Sequence, residues 1–155
     1  MPRKFYRRPI NYRSKDKYSV ENKAGVVSTG AVVTNGYYQQ PLNIVPQTSV
    51  EGMRKVKHTT VTLTARADTA PIYYALVYVP EGYSANALFS SSASLYEPNQ
   101  FVMQAGVMDA SAGPIRIRSP ISRNLNSGDS IWLIYGSTQS NMEINYFVRY
   151  AITLQ

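Results

Sequence analysis

The sequence predicts an all-β fold: a single jelly roll, an eight-stranded antiparallel sandwich, preceded by a basic N-terminal arm. Eight runs of strand length carry alternating or nearly continuous apolar residues, and turn residues separate most of them. No amphipathic helical pattern of about ten residues or more interrupts them. Eight antiparallel strands in two sheets make a jelly roll, and the lack of an internal repeat argues against a propeller. The 155 residues fit one domain, assigned to 18–155, with the arm at 1–17.

The arm is the most basic stretch of the chain. It has a net charge of +6 out of the chain's +7, with Asp16 as its one acid. Its basic residues are Arg3, Lys4, Arg7, Arg8, Arg13, Lys15 and Lys17, and its rings are Phe5, Tyr6 and Tyr12. Basic side chains bind phosphates through counterion release, and aromatic rings stack on bases. The composition therefore predicts a nucleic-acid-binding arm, with a solubilising tail or a nuclear-import address as the alternatives.

The first strands follow a polar transition at Tyr18–Lys23. Small and β-branched residues run over Ala24–Thr34, and Asn35–Gly36 then gives the turn signal of a two-residue hairpin. Leu42–Val45 lies between two prolines, which predicts a short edge strand.

Two central strands have contrasting patterns. Lys57–Ala65 alternates, with Val61 and Leu63 on one face and threonines on the other, so it predicts a half-buried strand. Ile72–Val79 is nearly continuous in apolar residues, which predicts a strand covered on both faces, by the second sheet and by a neighbouring subunit.

The second half begins with a long loop, Glu81–Asn99, which is rich in Ser, Ala, Gly and Asn and includes a possible helical turn at Ala85–Phe89. A loop of this length in a compact domain is usually functional, so we expect it to be exposed or interfacial, as we do the tip Gly136–Met142. The remaining strands are predicted at Gln100–Met108, Ile115–Arg118, Ile131–Tyr135 and Tyr146–Leu154, with a turn at Asn126–Asp129.

Catalytic and metal sites are not predicted. The chain has no Cys, which excludes disulfides, thiolate zinc sites and thiol nucleophiles, and His58 is its only histidine. The acids are scattered singly; Asp109 and Glu97 are better explained as solvated turn acids than as ligands of a divalent cation. No apolar run is long enough to span a membrane, and no secretion signal is recognised. We therefore expect a protein that is not an enzyme and uses no cofactor.

Further basic residues lie in the body of the chain. Arg54, Lys55 and Lys57 precede the alternating strand and are candidate nucleic-acid ligands that would extend the arm's basic surface. Arg116, Arg118 and Arg123 form a second group, which would extend the same basic surface on one side of the domain. Both groups are equally compatible with ordinary exposed residues that guard sheet edges. Arg149 is expected to make an interface contact or a salt bridge.

A resemblance to a known family is carried by five segments: Pro71–Gly82, Ser94–Val102, Ala112–Arg118, Ser122–Asp129 and Tyr150–Gln155. In order and at similar spacing, they resemble capsid proteins of circovirus-like small circular single-stranded DNA viruses that encode a replication initiator (CRESS DNA viruses). The resemblance implies a jelly-roll subunit of a small icosahedral shell, with T=1 symmetry and about 60 copies. It also implies a virion protein that packages circular single-stranded DNA, with Arg3, Lys4, Arg7, Arg8 and Arg13 as DNA contacts and as a nuclear-import signal for assembly in the host nucleus.

Other functions remain open on the residues alone. A monomeric nucleic-acid-binding barrel of the OB type would place aromatic and basic residues on one strand face, whereas Ile72–Val79 has aromatics without cations. A lectin-like jelly roll or a satellite-virus-like coat protein that packages RNA would share the fold. Phosphate charge is the same in DNA and RNA, so charge does not separate them.

Overall fold

A computed structural model describes residues 18–34, 36–66, 70–85 and 101–154 of the chain. Within these residues it contains ten strands and one short 3-10 turn at Ala110–Ala112. The strands are β1 (Tyr18–Ser28), β2 (Val33–Thr34), β3 (Tyr37–Val45), β4 (Arg54–Ala65), β5 (Ile72–Val79), β6 (Phe101–Met108), β7 (Ile115–Ser119), β8 (Arg123–Leu125), β9 (Ser130–Ser137) and β10 (Glu143–Leu154). None of the described helical residues forms a segment long and apolar enough to cross a membrane.

The strands form two five-stranded antiparallel sheets. Sheet A has the order β1-β10-β4-β7, and β8 also pairs with β4; sheet B has the order β2-β3-β9-β5-β6. The chain crosses repeatedly between the sheets, so that strands next to each other in a sheet are mostly distant in sequence. The all-β antiparallel sandwich is therefore confirmed, and this strand order is consistent with a jelly roll.

The hairpin between β2 and β3 follows directly from the turn residues. Thr34 pairs with Tyr37, which leaves a two-residue loop, and Gly36 has a φ of +82°. A type I′ turn needs positive φ values, and glycine adopts them without a Cβ clash. The predicted hairpin is confirmed, although β3 is much longer than the expected edge strand and includes Pro41.

The main core lies between the sheets. Val61 and Leu63 of β4, Ile117 of β7 and Leu76 of β5 are almost fully buried there, together with Leu133 of β9. Their burial confirms the alternation predicted for β4 and β7, because the threonines and arginines between them point to the other face. At about 25 cal/mol per Å², such burial is the main stabilising contribution in a domain of this size.

A second, smaller cluster covers the outer face of sheet B. Ala75, Val77 and Val79 are each 0% exposed within the single chain, with Ala85 and Val102 packed against their cluster. The prediction that β5 is buried on both faces is confirmed. The suggested neighbouring subunit is not needed to cover it.

Two strand assignments differ from the prediction. The polar stretch at 18–23 belongs to β1, which pairs along its whole length with β10. Its polar residues are tolerated because β1 lies at the edge of sheet A and is mostly exposed. β8 was not predicted as a strand, because its three residues are too few to show a period.

Candidate nucleic-acid interface

Charge is distributed very unevenly between the two sheets. The five strands of sheet B contain no Asp, Glu, Lys, Arg or His. The five strands of sheet A contain eight Lys and Arg residues against two Glu residues, a net charge of +6 with His58 neutral. Outside the arm, Arg66 is the one basic residue of the chain that lies beyond the strands of sheet A.

Strand register brings five of these basic residues onto one surface. Residues paired across antiparallel strands point to the same face, and that face alternates along each strand. Arg118, Thr60 and Arg149 form one row across three strands, and Arg116, Thr62 and Phe147 form the next. The outward-facing basic residues of sheet A are Lys55, Lys57, Arg116, Arg118 and Arg149, and we call this surface the cationic face.

A β-bulge in β4 shapes the middle of the cationic face. The register between β4 and β10 shifts between Arg149 and Ala151, and His58 lies in the bulge with a φ of +54°. The bulge lets consecutive residues Lys57 and His58 lie outside the core, while Val56 and Thr59 on either side are buried. Bulges commonly re-aim side chains at functional sites.

No carboxylate neutralises the cationic face among the described residues. Glu143, at one end of sheet A, is bound to Arg66 with 2.8 Å between Oε2 and Nη1. Glu21 is paired in register with the inward-facing Tyr150, and so points away from this face. Arg149 has no described salt-bridge partner, contrary to one of the two roles expected for it. Unpaired guanidinium and ammonium groups on one surface are the electrostatic pattern of a phosphate-binding site.

The chain enters the domain beside this face. β1 begins at Tyr18, and Lys57 Nζ lies 4.5 Å from the centre of the Tyr18 ring. The arm 1–17 is joined directly to this point. The arm residues predicted to contact nucleic acid lie outside the described residues: Arg3, Lys4, Phe5, Tyr6, Arg7, Arg8, Tyr12, Arg13, Lys15 and Lys17.

Arg54 and Arg123 are located elsewhere. Arg54 donates hydrogen bonds to the carbonyl oxygens of Pro46 (3.0 Å) and Asp129 (3.2 Å), and these contacts tie it to loops at one end of the sandwich. Arg123 lies over the rings of Tyr78 and Phe101, at 5.4 and 5.8 Å from their centres. Of the three body residues predicted to bind nucleic acid, the structure therefore brings Lys55 and Lys57 onto the cationic face and separates Arg54 from it.

The predicted turn at Asn126–Asp129 is built around a buried carboxylate. Asp129 is 4% exposed and accepts hydrogen bonds from the Tyr78 hydroxyl (2.8 Å), the Asn126 amide (2.7 Å) and the Glu81 amide (3.1 Å). Burial, with the hydrogen bond to Asp129, raises the pKa of Tyr78 to about 12. Asp129 thus joins two loops and sheet B, and is a structural residue.

Asp109 behaves as a turn acid, as expected. Its exposed carboxylate accepts hydrogen bonds from the Ser111 amide (2.9 Å) and hydroxyl (2.8 Å), and these bonds lower its pKa. The described residues contain no cluster of His, Cys, Asp and Glu that could hold a metal ion. Glu97, the other acid considered for a divalent cation, lies outside the described residues.

Sequence reasoning missed the central role of β10 in this face. Arg149 was treated separately from the other cations, and Phe147 was not selected. The alternation of Tyr146, Val148 and Tyr150 toward the core already predicts that Phe147 and Arg149 point outward. The sequence pattern that could have identified this part of the face is the aromatic Phe147 followed by Arg149 at the next outward position of the strand.

No family model and no curated protein matches the chain. Among solved structures, the chain is similar to a chain in the structure of infectious bursal disease virus Gx strain, with a TM-score of 0.39 and 10% identity over 90% of this chain and 32% of that chain. It is also similar to a chain in the structure of the Gt strain, with a TM-score of 0.42 and 7% identity over 90% of this chain and 32% of that chain. The VP2 subviral particle of the same virus matches more weakly (TM-score 0.17, 8% identity, 86% and 41%). The chain spans about a third of the length of the first two.

Proposed function

We propose that this chain is a viral capsid protein, the repeating subunit of a small icosahedral T=1 shell of about 60 copies that packages circular single-stranded DNA. The basic N-terminal arm and the cationic face of sheet A hold the genome. The protein is then a virion component, and the arm also serves nuclear import before assembly. The proposal rests on the resemblance of the sequence to CRESS DNA virus capsid proteins and on the charge distribution of the domain.

The observation that carries the proposal is the location of the charge. One outer surface of the sandwich has five basic residues and no unpaired described carboxylate, and the basic arm joins the domain beside it. A subunit oriented with sheet A toward the interior of a shell turns both basic elements toward the genome. Sheet B, with uncharged strands, then faces outward or toward neighbouring subunits.

Charge arithmetic gives the cationic face a clear role. An arm of +6 contributes on the order of 360 positive charges in a 60-copy shell, and five more per subunit raise this to about 660. Phosphate neutralisation by Lys and Arg is independent of sequence, which suits the packaging of a whole genome. The face thus supplies nearly half of the protein charge available to the nucleic acid.

The OB-type barrel fits the structure less well. An OB fold is a five-stranded, partly open barrel, whereas the described strands form two separate five-stranded sheets. A monomeric binder with this sandwich fold, and a coat protein that packages RNA, are the remaining competitors, and the experiment below distinguishes the first of them from a shell.

The first test is the size and ultraviolet spectrum of the purified chain at low and high salt. Sixty copies of a 17.3 kDa chain give particles of about 1 MDa, and we expect these with a nucleic-acid absorbance ratio that falls as salt rises. A stable monomer that binds oligonucleotides reversibly at every salt concentration would contradict the capsid function.

Two variants separate the contributions of arm and face. Deletion of 1–17 is expected to leave a folded β-rich protein that assembles empty or poorly. The triple variant with Lys57→Gln, Arg116→Gln and Arg118→Gln should keep the fold and retain less nucleic acid. For single strands, three lost phosphate contacts lower the slope of log affinity against log salt by about 2. Unfolding of the deletion variant would mean that the arm is structural.

A further inference from the structure

A cavity lies in the middle of the cationic face and is lined in part by the exposed side chain of Phe147. It has a volume of about 400 Å³, and its lining includes His58, Thr62, Arg116, Arg118, Phe147 and Arg149. This is within the range of about 300–1,000 Å³ that small-ligand sites occupy.

Phe147 has no evident role in the core of the domain. Its strand neighbours Tyr146 and Val148 point inward, whereas Phe147 points outward and is 46% exposed. The residues paired with it on either side are Ala24 of β1 and Thr62 of β4. Both side chains are small, so the two flanks of the ring are open to a planar ligand.

The surroundings of the ring select the kind of ligand. Arg149 is two residues from Phe147 along the same strand, so their Cα atoms are about 7 Å apart. Arg116 is two strands away from Phe147 in the same row, which places their Cα atoms roughly 10 Å apart. A planar apolar group that is linked to anionic groups in two directions complements this arrangement. An unstacked nucleobase between two phosphates of a single strand has this chemistry, and aromatic side chains stack on every base.

The bulge adds a second distinctive feature to the cavity. His58 lines it with a left-handed backbone conformation, which is strained in a non-glycine residue and is concentrated at functional sites. The imidazole provides a hydrogen-bonding group at the edge of the cavity, beside the rows that contain the arginines.

We propose that this cavity is a base-stacking site, in which Phe147 stacks on one nucleobase of the packaged single strand while Arg116 and Arg149 contact the flanking phosphates. The inference rests on the proposed function and adds to it a contact that depends on the base. Phosphate contacts hold any polyanion, whereas stacking on Phe147 requires an exposed base and therefore favours a single strand over a duplex.

The test is a competition between two strands of equal charge. The full chain is offered a thymidine oligonucleotide of about 12 nucleotides and an abasic strand of the same length, each with its own fluorophore. We expect the wild-type chain to prefer the base-bearing strand, and Phe147→Ala to lose about 5- to 100-fold of that preference with an unchanged salt slope. Phe147→Leu keeps an apolar side chain without a π face and should behave like Phe147→Ala; it decides the test if the alanine variant folds poorly.

Tyr83→Ala is the matched control, because Tyr83 is an exposed aromatic residue (60%) in the segment after β5, outside sheet A. It should keep the wild-type preference. An unchanged preference in both Phe147 variants would overturn the stacking site and leave the capsid proposal standing. Failure of the wild-type chain to bind either strand would overturn the proposed function itself.

Discussion

Sheets A and B have the same number of strands, and they use their residues in opposite ways. Sheet B is uncharged along all five strands, and both of its faces contain fully buried residues such as Leu76 and Val77. Sheet A buries one face and presents five unpaired cations on the other. The comparison shows that one sandwich separates its tasks: sheet B contributes mainly to stability, and the outer face of sheet A is available for binding.

Mutations should separate these tasks most clearly at matched positions. Leu133 of β9 is fully buried between the sheets, and Leu133→Ala should reduce the free energy of unfolding by about 2–5 kcal/mol, through lost burial and the cavity left behind. Arg118→Gln on the outer face of sheet A should change it by no more than about 0.5 kcal/mol. Urea unfolding followed by circular dichroism measures both changes. A larger loss of stability for Arg118→Gln than for Leu133→Ala would contradict these separate roles for the two sheets.

The same pair should reverse its order in binding. Arg118→Gln should lower the salt slope for a single-stranded oligonucleotide by about 0.7, the contribution of one phosphate contact. Leu133→Ala should leave that slope unchanged at temperatures where it is folded. Equal effects of the two substitutions on the slope would mean that binding is not localised to the cationic face.

Sheet B can also be made to carry charge by raising the pH until its buried tyrosines ionise. Burial raises the pKa of Tyr135 to about 12 from 10, and burial with the Asp129 hydrogen bond raises that of Tyr78 to about 12. The folded state holds these protons more tightly than the unfolded state, so the stability that they contribute is complete below pH 10. It is lost as the pH rises from 10 to 12, where folding would require buried phenolates.

Urea unfolding at a series of pH values up to 12, with tyrosinate absorbance recorded in parallel, measures this loss. In the Tyr135→Phe variant, the free energy of unfolding should fall less steeply between pH 10 and 12. It should also lose about 1 kcal/mol at neutral pH, because the Tyr135 hydroxyl donates a 3.0 Å hydrogen bond to the Ser28 carbonyl. An identical pH dependence in this variant would show that other groups control alkaline unfolding.

Much of this organisation could be predicted from the sequence, and particular residues show why. Val61 and Leu63 alternate with threonines, so period-two patterning alone assigned the inner face of β4, and Asn35–Gly36 identified a hairpin. The cationic face could be predicted only in part: the basic residues of β4 and β7 were expected on one surface, whereas Arg149 joins them only through the pairing of β10 with β4. Long-range register is not encoded in local pattern. Asp129 was hidden for a similar reason: its hydrogen-bond partners Tyr78 and Glu81 are about fifty residues away in the chain.

The smallest expected effect concerns the one described lysine that links the two sheets. Lys23 of edge strand β1 donates a 3.1 Å hydrogen bond from Nζ to the Asn43 carbonyl of β3 in sheet B, at an exposed position. Because water competes for both groups, Lys23→Met should lower the free energy of unfolding by less than about 1 kcal/mol. It should also leave the oligonucleotide salt slope unchanged, since Lys23 pairs in register with the inward-facing Val148 and lies off the cationic face. If Lys23→Met reduced the salt slope as much as Arg118→Gln does, the binding surface would have to extend around the edge of β1 toward sheet B. Nucleic-acid binding would then not be confined to the outer face of sheet A.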